Sequence, residues 1–299
     1  MKKVGIVGTG KGAKELFQFL TKVNHNIEVS CFVDEPREVS ELPATYYHID
    51  EFLFEKPKLD ILYLASERQM FNDIVHLHLN ASYECRRYNW PMHNYLFDNK
   101  AKLIYKRCPK VMNSSVSSHF YTATYGQAPQ FDPQTQRSLD LDRYFMESQS
   151  IWEMDSDLQQ YFKFAIMRDP IKRFISAYNH IVLRSKRFKS NDINDFISNF
   201  AFYLGNYDIH DHFCPQNEYV GDNISFYDQL VDIKQVSTLE QKLGVTFAEH
   251  NVTKSVAPSL DGESTYEMLS EQSLSTLYAY YQRDYELYAD IVGWDVRRT

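Results

Sequence analysis

The stretch Phe162 to Tyr178, FKFAIMRDPIKRFISAY, constrains this chain more than any other. Phe162, Phe164, Ala165, Ile166 and Met167 make an apolar run of strand length. Asp169 then stands where a helix N-cap belongs and Pro170 where a first helical residue belongs. Ile171, Phe174, Ile175, Tyr178, Ile181 and Val182 recur at helical spacing as one apolar stripe. The segment therefore predicts a buried strand, a tight turn and an amphipathic helix, the building unit of an α/β fold. Ser176 lies off the stripe, on a face shared with Lys172 and His180. Arg168 leaves the strand end and Ser176 follows eight residues later, both near a helix N-terminus, where a phosphate dianion is well held. The alternative is structural: an Arg paired with a carboxylate and a Ser facing water.

A chain of 299 residues can bury a large core in one or two domains. The interior is expected to be aromatic-rich, because 22 Tyr and 20 Phe must be accommodated. A net charge of −8 argues against general binding to nucleic acid or an anionic membrane, so basic clusters that oppose the overall sign carry more weight. Cysteines 31, 85, 108 and 214 show no paired spacing, which speaks against a zinc site or a disulfide framework. No apolar run approaches a membrane span, and the N-terminus does not read as a signal peptide. These features together lead to the expectation of a soluble cytoplasmic protein.

The chain opens with a predicted strand, VGIVG at residues 4 to 8, followed at once by Gly8-Thr9-Gly10-Lys11-Gly12-Ala13 and a helix. That satisfies G-x-G-x-x-G/A with Ala13 in the third place. A second strand, Glu28 to Val33, ends in Asp34, where a ribose-binding acid would sit, and a third runs from Leu59 to Ala65. This β-α-β-α-β run resembles the small Rossmann-like domain at the front of some sugar-modifying enzymes, notably sugar acyltransferases. The glycine loop either holds a dinucleotide or nucleotide-sugar diphosphate, or is the relic of a domain that kept the fold and lost the ligand. Residues 67 to 100 read as a helical connector in which Arg86, Arg87, Tyr88 and Trp90 lie close together, a solvated face or an aid to binding an acidic glycan. The domain boundary falls near residue 95.

Lys102 to Tyr105 is a predicted strand leading into KRCPKVMNSSVSSHFY. Lys106, Arg107 and Lys110 crowd around Pro109, and Ser114, Ser115, Ser117 and Ser118 open a predicted helix. A strand that feeds a basic, hydroxyl-rich loop into a helix start is the physical recipe for an anion cradle. It is not a Walker A sequence, which ends in Gly-Lys-Ser/Thr. Residues 124 to 160 read as a long insertion of the kind that covers substrate. Residues 184 to 189 form a basic run, 194 to 204 a helix, 210 to 220 a polar loop with two histidines, 224 to 233 a strand, and 270 to 290 one closing helix.

Two strand–loop–helix units, each with phosphate-type ligands, imply a ligand with two separated anionic groups. Here the chain resembles the PAPS-dependent carbohydrate sulfotransferases of the type that includes chondroitin and HNK-1 sulfotransferases, over roughly residues 101 to 290. CPKVMNSSV at 108 to 116 resembles the family's 5′-phosphosulfate loop, with Met112 where the family often has Gly. MRDPIKRFISAY at 167 to 178 resembles its 3′-phosphate segment, with the same gap between Arg and Ser. HFCPQ at 212 to 216 resembles its His-aromatic-x-Pro-Gln loop. NVTKS at 251 to 255 and the helix ending YYQRDYELY resemble its C-terminal part. VDIKQV at 231 to 236 lacks the Glu common there.

The resemblance implies a P-loop-like sulfotransferase domain with a central parallel sheet over residues 96–299, behind a Rossmann-like domain and connector over 1–95. It implies PAPS as co-substrate, no metal, and a glycan or glycoconjugate acceptor. Lys110 would neutralise the 5′-phosphosulfate, Ser114 and Ser115 would donate to the same phosphate, and Arg168 and Ser176 would hold the 3′-phosphate. His212 is the first candidate for the base that takes the acceptor proton, ahead of His119 and His180, since a histidine titrates near working pH. Two other classes stay open. One is a nicotinamide oxidoreductase built on Gly8, Gly10, Ala13 and Asp34. The other is a non-catalytic nucleotide- or sugar-binding protein.

Overall fold

A computed structural model describes the chain except for residues 24–26, 36–42, 67, 89–93, 133–137, 148–157, 185–189, 191, 205–206, 248–263 and 296–299. Trp90, the run from 185 to 189 and the NVTKS segment thus lie outside the described residues. The chain divides into two compact units, the first built from Met1–Asn94 with the short segments Ser150–Asp155 and Gly221–Asn223, the second from the rest of the chain, beginning at Tyr95.

The first unit is a five-stranded sheet in the order β3-β2-β1-β4-β5. Its strands are β1 (Lys2–Val7), β2 (Ile27–Asp34), β3 (Thr45–His48), β4 (Ile61–Leu64) and β5 (Glu84–Arg87), and every pairing is parallel. Helices α1 (Lys11–Val23), α2 (Ile49–Glu55) and α3 (Gln69–Leu79) connect them. The expected strands are present, but the segment after Ala65 is more than a helical connector. It supplies α3 and the strand β5, which pairs with β4. β5 reads ECRR, too polar to announce a strand; it is an edge strand, where polar side chains are tolerated.

The second unit holds a four-stranded sheet in the order β6-β7-β8-β9. β6 (Tyr95–Asp98) is antiparallel to β7 (Leu103–Lys106), whereas β7, β8 (Phe162–Met167) and β9 (Gln229–Asp232) are mutually parallel. Because β7 and β8 are parallel neighbours, with Lys106 opposite Ala165, their C-terminal ends open on the same edge of the sheet. Ligands of open α/β sheets are bound at that edge. Each strand there runs into a helix: α4 (Asn113–Tyr125) after β7 and α6 (Pro170–Tyr178) after β8, while α5 (Leu139–Glu147) lies in the long segment between them. The core is aromatic as expected. Tyr105 packs on Phe120 and Phe164, and Phe174 sits among Phe196, Phe200 and Phe213.

Four expectations in this unit need correction. The strand expected over 224 to 233 is confined to β9 and preceded by a single tight turn at Ile224–Phe226, and the helix expected over 194 to 204 is two short helices, Ile193–Ser198 and Phe200–Tyr203, that meet at Asn199. Residues 210 to 220 are not a loop but helices α7 (Tyr207–Phe213) and α8 (Asn217–Val220), joined by a turn at 214 to 216. Ile209 and Phe213, four residues apart and both fully buried, anchor the first of these among charged neighbours. The closing helix is two helices, α9 (Glu271–Tyr280) and α10 (Gln282–Val292), separated at Tyr281. The Tyr281 ring is buried, and its hydroxyl donates to the Phe213 carbonyl oxygen at 2.6 Å.

Candidate functional site

Asp169 caps α6 as its sequence requires: its carboxylate accepts from the Lys172 N–H at 3.0 Å, and Pro170 occupies the first turn. This stops β8 and starts the helix within two residues, leaving Arg168 between them, partly buried, at the sheet edge. Ser176 lies half-buried two turns along α6.

The β7 side is built differently. Lys106 and Arg107, which the sequence grouped with Lys110, are both buried and turned against rings. The Lys106 ammonium lies 4.3 Å from the Tyr95 centroid and the Arg107 guanidinium 3.2 Å from that of Phe145. Burial pushes the Arg107 guanidinium down to about 9. Only Lys110 of the three stays partly accessible. The chain then takes positive φ at Lys110 (67°) and again at Met112 (63°), which is the N-cap of α4. Met112 makes no side-chain cap bond, and among the described residues no carboxylate or hydroxyl is seen closing the first N–H groups of α4. Ser114 is exposed, and Ser115 is buried. A glycine would suit the left-handed conformation at position 112, and Met112 adopts it at a cost of about 1 kcal/mol.

The two segments touch. An Arg168 guanidinium N–H donates to the Lys110 carbonyl oxygen at 3.3 Å. A residue that sequence reasoning missed, Arg173, ties them further: it is fully buried, its Nε donates to the Pro109 carbonyl at 3.0 Å, and its Nη1 donates to the Cys214 carbonyl at 2.8 Å. Its signal was a second arginine five residues after Arg168, masked by the apolar stripe on either side. Lys110 thus sits in a positive environment. Burial first, and then the charges of Arg168, Arg184 and Arg173, push its ammonium down to about 8.

The histidines separate. His212 is half-buried on α7, next to the 214 to 216 turn. His119, on α4, has its Nε2 3.5 Å from an Asp98 oxygen and its ring edge-on to Phe120 and Phe247, and burial lowers its pKa. His180 is exposed. Among the described residues no cluster of three or more His, Cys, Asp or Glu is arranged to hold a metal ion, and all four cysteines are free thiols. No described helix is long and apolar enough to cross a membrane.

The sequence profile of the Sulfotransferase family matches residues 93–289, two thirds of the chain and nearly all of the second unit. The chain belongs to the sulfotransferase family. No curated protein and no solved structure gives a match. As a family member it is a transferase of the sulfuryl-transfer class, and the match contains every site residue named on the second unit.

In the first unit Gly8 has a packing reason to be glycine. Gly8 has φ of 109°, and a Cβ there would lie 2.8 Å from the Ser66 backbone. Asp34 is buried and engaged: it accepts from the Thr9 hydroxyl and the Glu35 N–H, each at 2.8 Å, and pairs with Arg68, which also pairs with Glu35.

Proposed function

We propose that this sulfotransferase moves the sulfuryl group of PAPS to a hydroxyl of a carbohydrate or glycoconjugate. In this reading residues 96–299 form a P-loop-like domain and residues 1–95 a Rossmann-like domain with its connector. The order of the first sheet, with all pairings parallel, supports the latter. The observation that carries the reading is the hydrogen bond from Arg168 to the Lys110 carbonyl, which holds two cationic segments against each other at one sheet edge.

The residues fit a nucleotide with anionic groups at both ends. A helix start whose N-cap Met112 makes no side-chain cap bond, a lysine depressed by burial and then by neighbouring arginines, and a guanidinium at the next strand end all favour negative charge. PAPS supplies the sulfuryl group, whose bond to the bridging phosphate oxygen breaks as a bond to the acceptor oxygen forms. Lys110 neutralises the 5′ group and the charge growing on that oxygen. With a pKa of about 8 it keeps its proton at pH 7. The Ser114 and Ser115 hydroxyls and the α4 N–H groups donate to the same phosphate. Arg168 and Ser176 hold the 3′-phosphate. His212 removes the acceptor proton. Charge stabilisation and alignment supply most of what such a transfer needs.

Incubation with sulfur-labelled PAPS and a panel of glycans tests the reading. Label is expected on at least one glycan, with PAP as an inhibitor. Failure of PAP to bind in calorimetry would overturn it, and label on a non-carbohydrate acceptor only would overturn its carbohydrate part.

A further inference from the structure

The turn at 214 to 216 makes contacts that a simple connection would not need. Gln216 is fully buried, and its side-chain amide grips both backbone groups of Arg168. The Arg168 N–H donates to Oε1 at 3.1 Å, and Nε2 donates to the Arg168 carbonyl at 2.8 Å. Arg168 lies one residue beyond β8 and two before the first residue of α6, so neither the strand ladder nor the helix takes up these two groups. Gln216 extends the ladder by one peptide with a side chain, which fixes the direction in which the Arg168 side chain leaves the backbone.

Gln216 is itself held from behind. Asp284, fully buried on α10, accepts from the Gln216 N–H at 2.7 Å and from the Asn217 N–H at 2.8 Å. Arg173 holds the Cys214 carbonyl on the other side. A buried carboxylate satisfied by two N–H groups of one turn fixes that turn, because releasing it would strand the charge.

We infer that Gln216 is a positioning residue for Arg168, and that Asp284 positions Gln216 in turn. The relay makes recognition of the 3′-phosphate depend on the C-terminal helix. This rests on the proposed role of Arg168.

The test uses calorimetry on the full chain with two probes, PAP and adenosine 5′-phosphate, which differ only in the 3′-phosphate. Gln216→Leu is expected to weaken PAP about tenfold while changing adenosine 5′-phosphate less than about twofold. Gln216→Glu keeps an acceptor for the Arg168 N–H but loses the donor to its carbonyl, so it is expected to fall between; it also serves if the Leu variant does not fold. Asp284→Asn should shift the ratio of the two affinities in the same direction. In an Arg168→Ala background, Gln216→Leu should leave that ratio unmoved. Equal losses for both probes in the Gln216 variants, with Arg168→Ala selective for PAP, would overturn the relay and spare the 3′-phosphate assignment. An Arg168→Ala variant that loses both probes equally would overturn both.

Discussion

The loop after β1 and the loop after β7 are two answers to one design. Each leaves the C-terminal end of a parallel strand, turns through a residue of positive φ and enters a helix. At Gly8 the turn is made by the residue best suited to it, and the charges at the neighbouring strand end are paired with opposite sign, Arg68 with both Asp34 and Glu35. At Lys110 and Met112 the turn is made by side chains that resist it, and the neighbouring cations press on one another. Under the proposed function the glycine-bearing loop is the poorer guide to an anion site, and the loop whose electrostatics are unfavourable until an anion arrives is the better one.

The largest expected effect is that of Lys110→Ala, which should lower sulfate transfer by about 100-fold or more while thermal unfolding moves little. Retained turnover would remove Lys110 from the chemistry and erase the contrast. Next is Gly8→Ala, which forces a Cβ against the Ser66 backbone at φ 109° and should destabilise the chain by about 3 kcal/mol in urea unfolding, with no selective loss of PAP affinity. A stable variant that loses nucleotide binding would show that the first loop is also a ligand loop.

The pH dependence sharpens the comparison further. Lys110 is depressed from 10.5 to about 8, so the free protein gains stability from this group as pH rises from 8 toward 10.5, where only the unfolded chain keeps the proton. PAP favours the charged lysine, so its affinity should fall over the same range and its binding near pH 8 should take up a proton. Calorimetry in buffers of different ionisation enthalpy measures that uptake, and its absence would mean that Lys110 does not face the anion. The smallest effect is expected from Met112→Gly. Relief of about 1 kcal/mol of left-handed strain is partly offset by the entropy of glycine, so the melting temperature should rise slightly or hold, with transfer retained. A clear loss of transfer would show that the Met112 side chain shapes the site.

Much of this was legible in the sequence because it is local. The Asp169-Pro170 start of α6, the strand before it and the helix opening at Asn113 each follow from residues within one or two turns of themselves. The strand β5 and the break at Tyr281 were not legible. The first is a polar edge strand defined by its partner, and the second is a helix interrupted where a hydroxyl finds a distant carbonyl. Lys106 and Arg107 misled for a related reason: composition shows a basic cluster, but only packing shows that two of its three members are stacked on rings.

The sequence by itself determined which residues make the two strand–loop–helix units, since periodicity and capping act over a few residues. Only the tertiary structure decided that Arg168 meets Lys110, that Arg173 joins both to the Cys214 turn, and that Gln216 and Asp284 lie behind them. Those contacts span separations of 41 to 68 residues: the first arises because adjacent parallel strands bring their C-terminal ends together, and those at the 214 to 216 turn because helices pack their buried polar groups onto it, whatever lies between them in the chain.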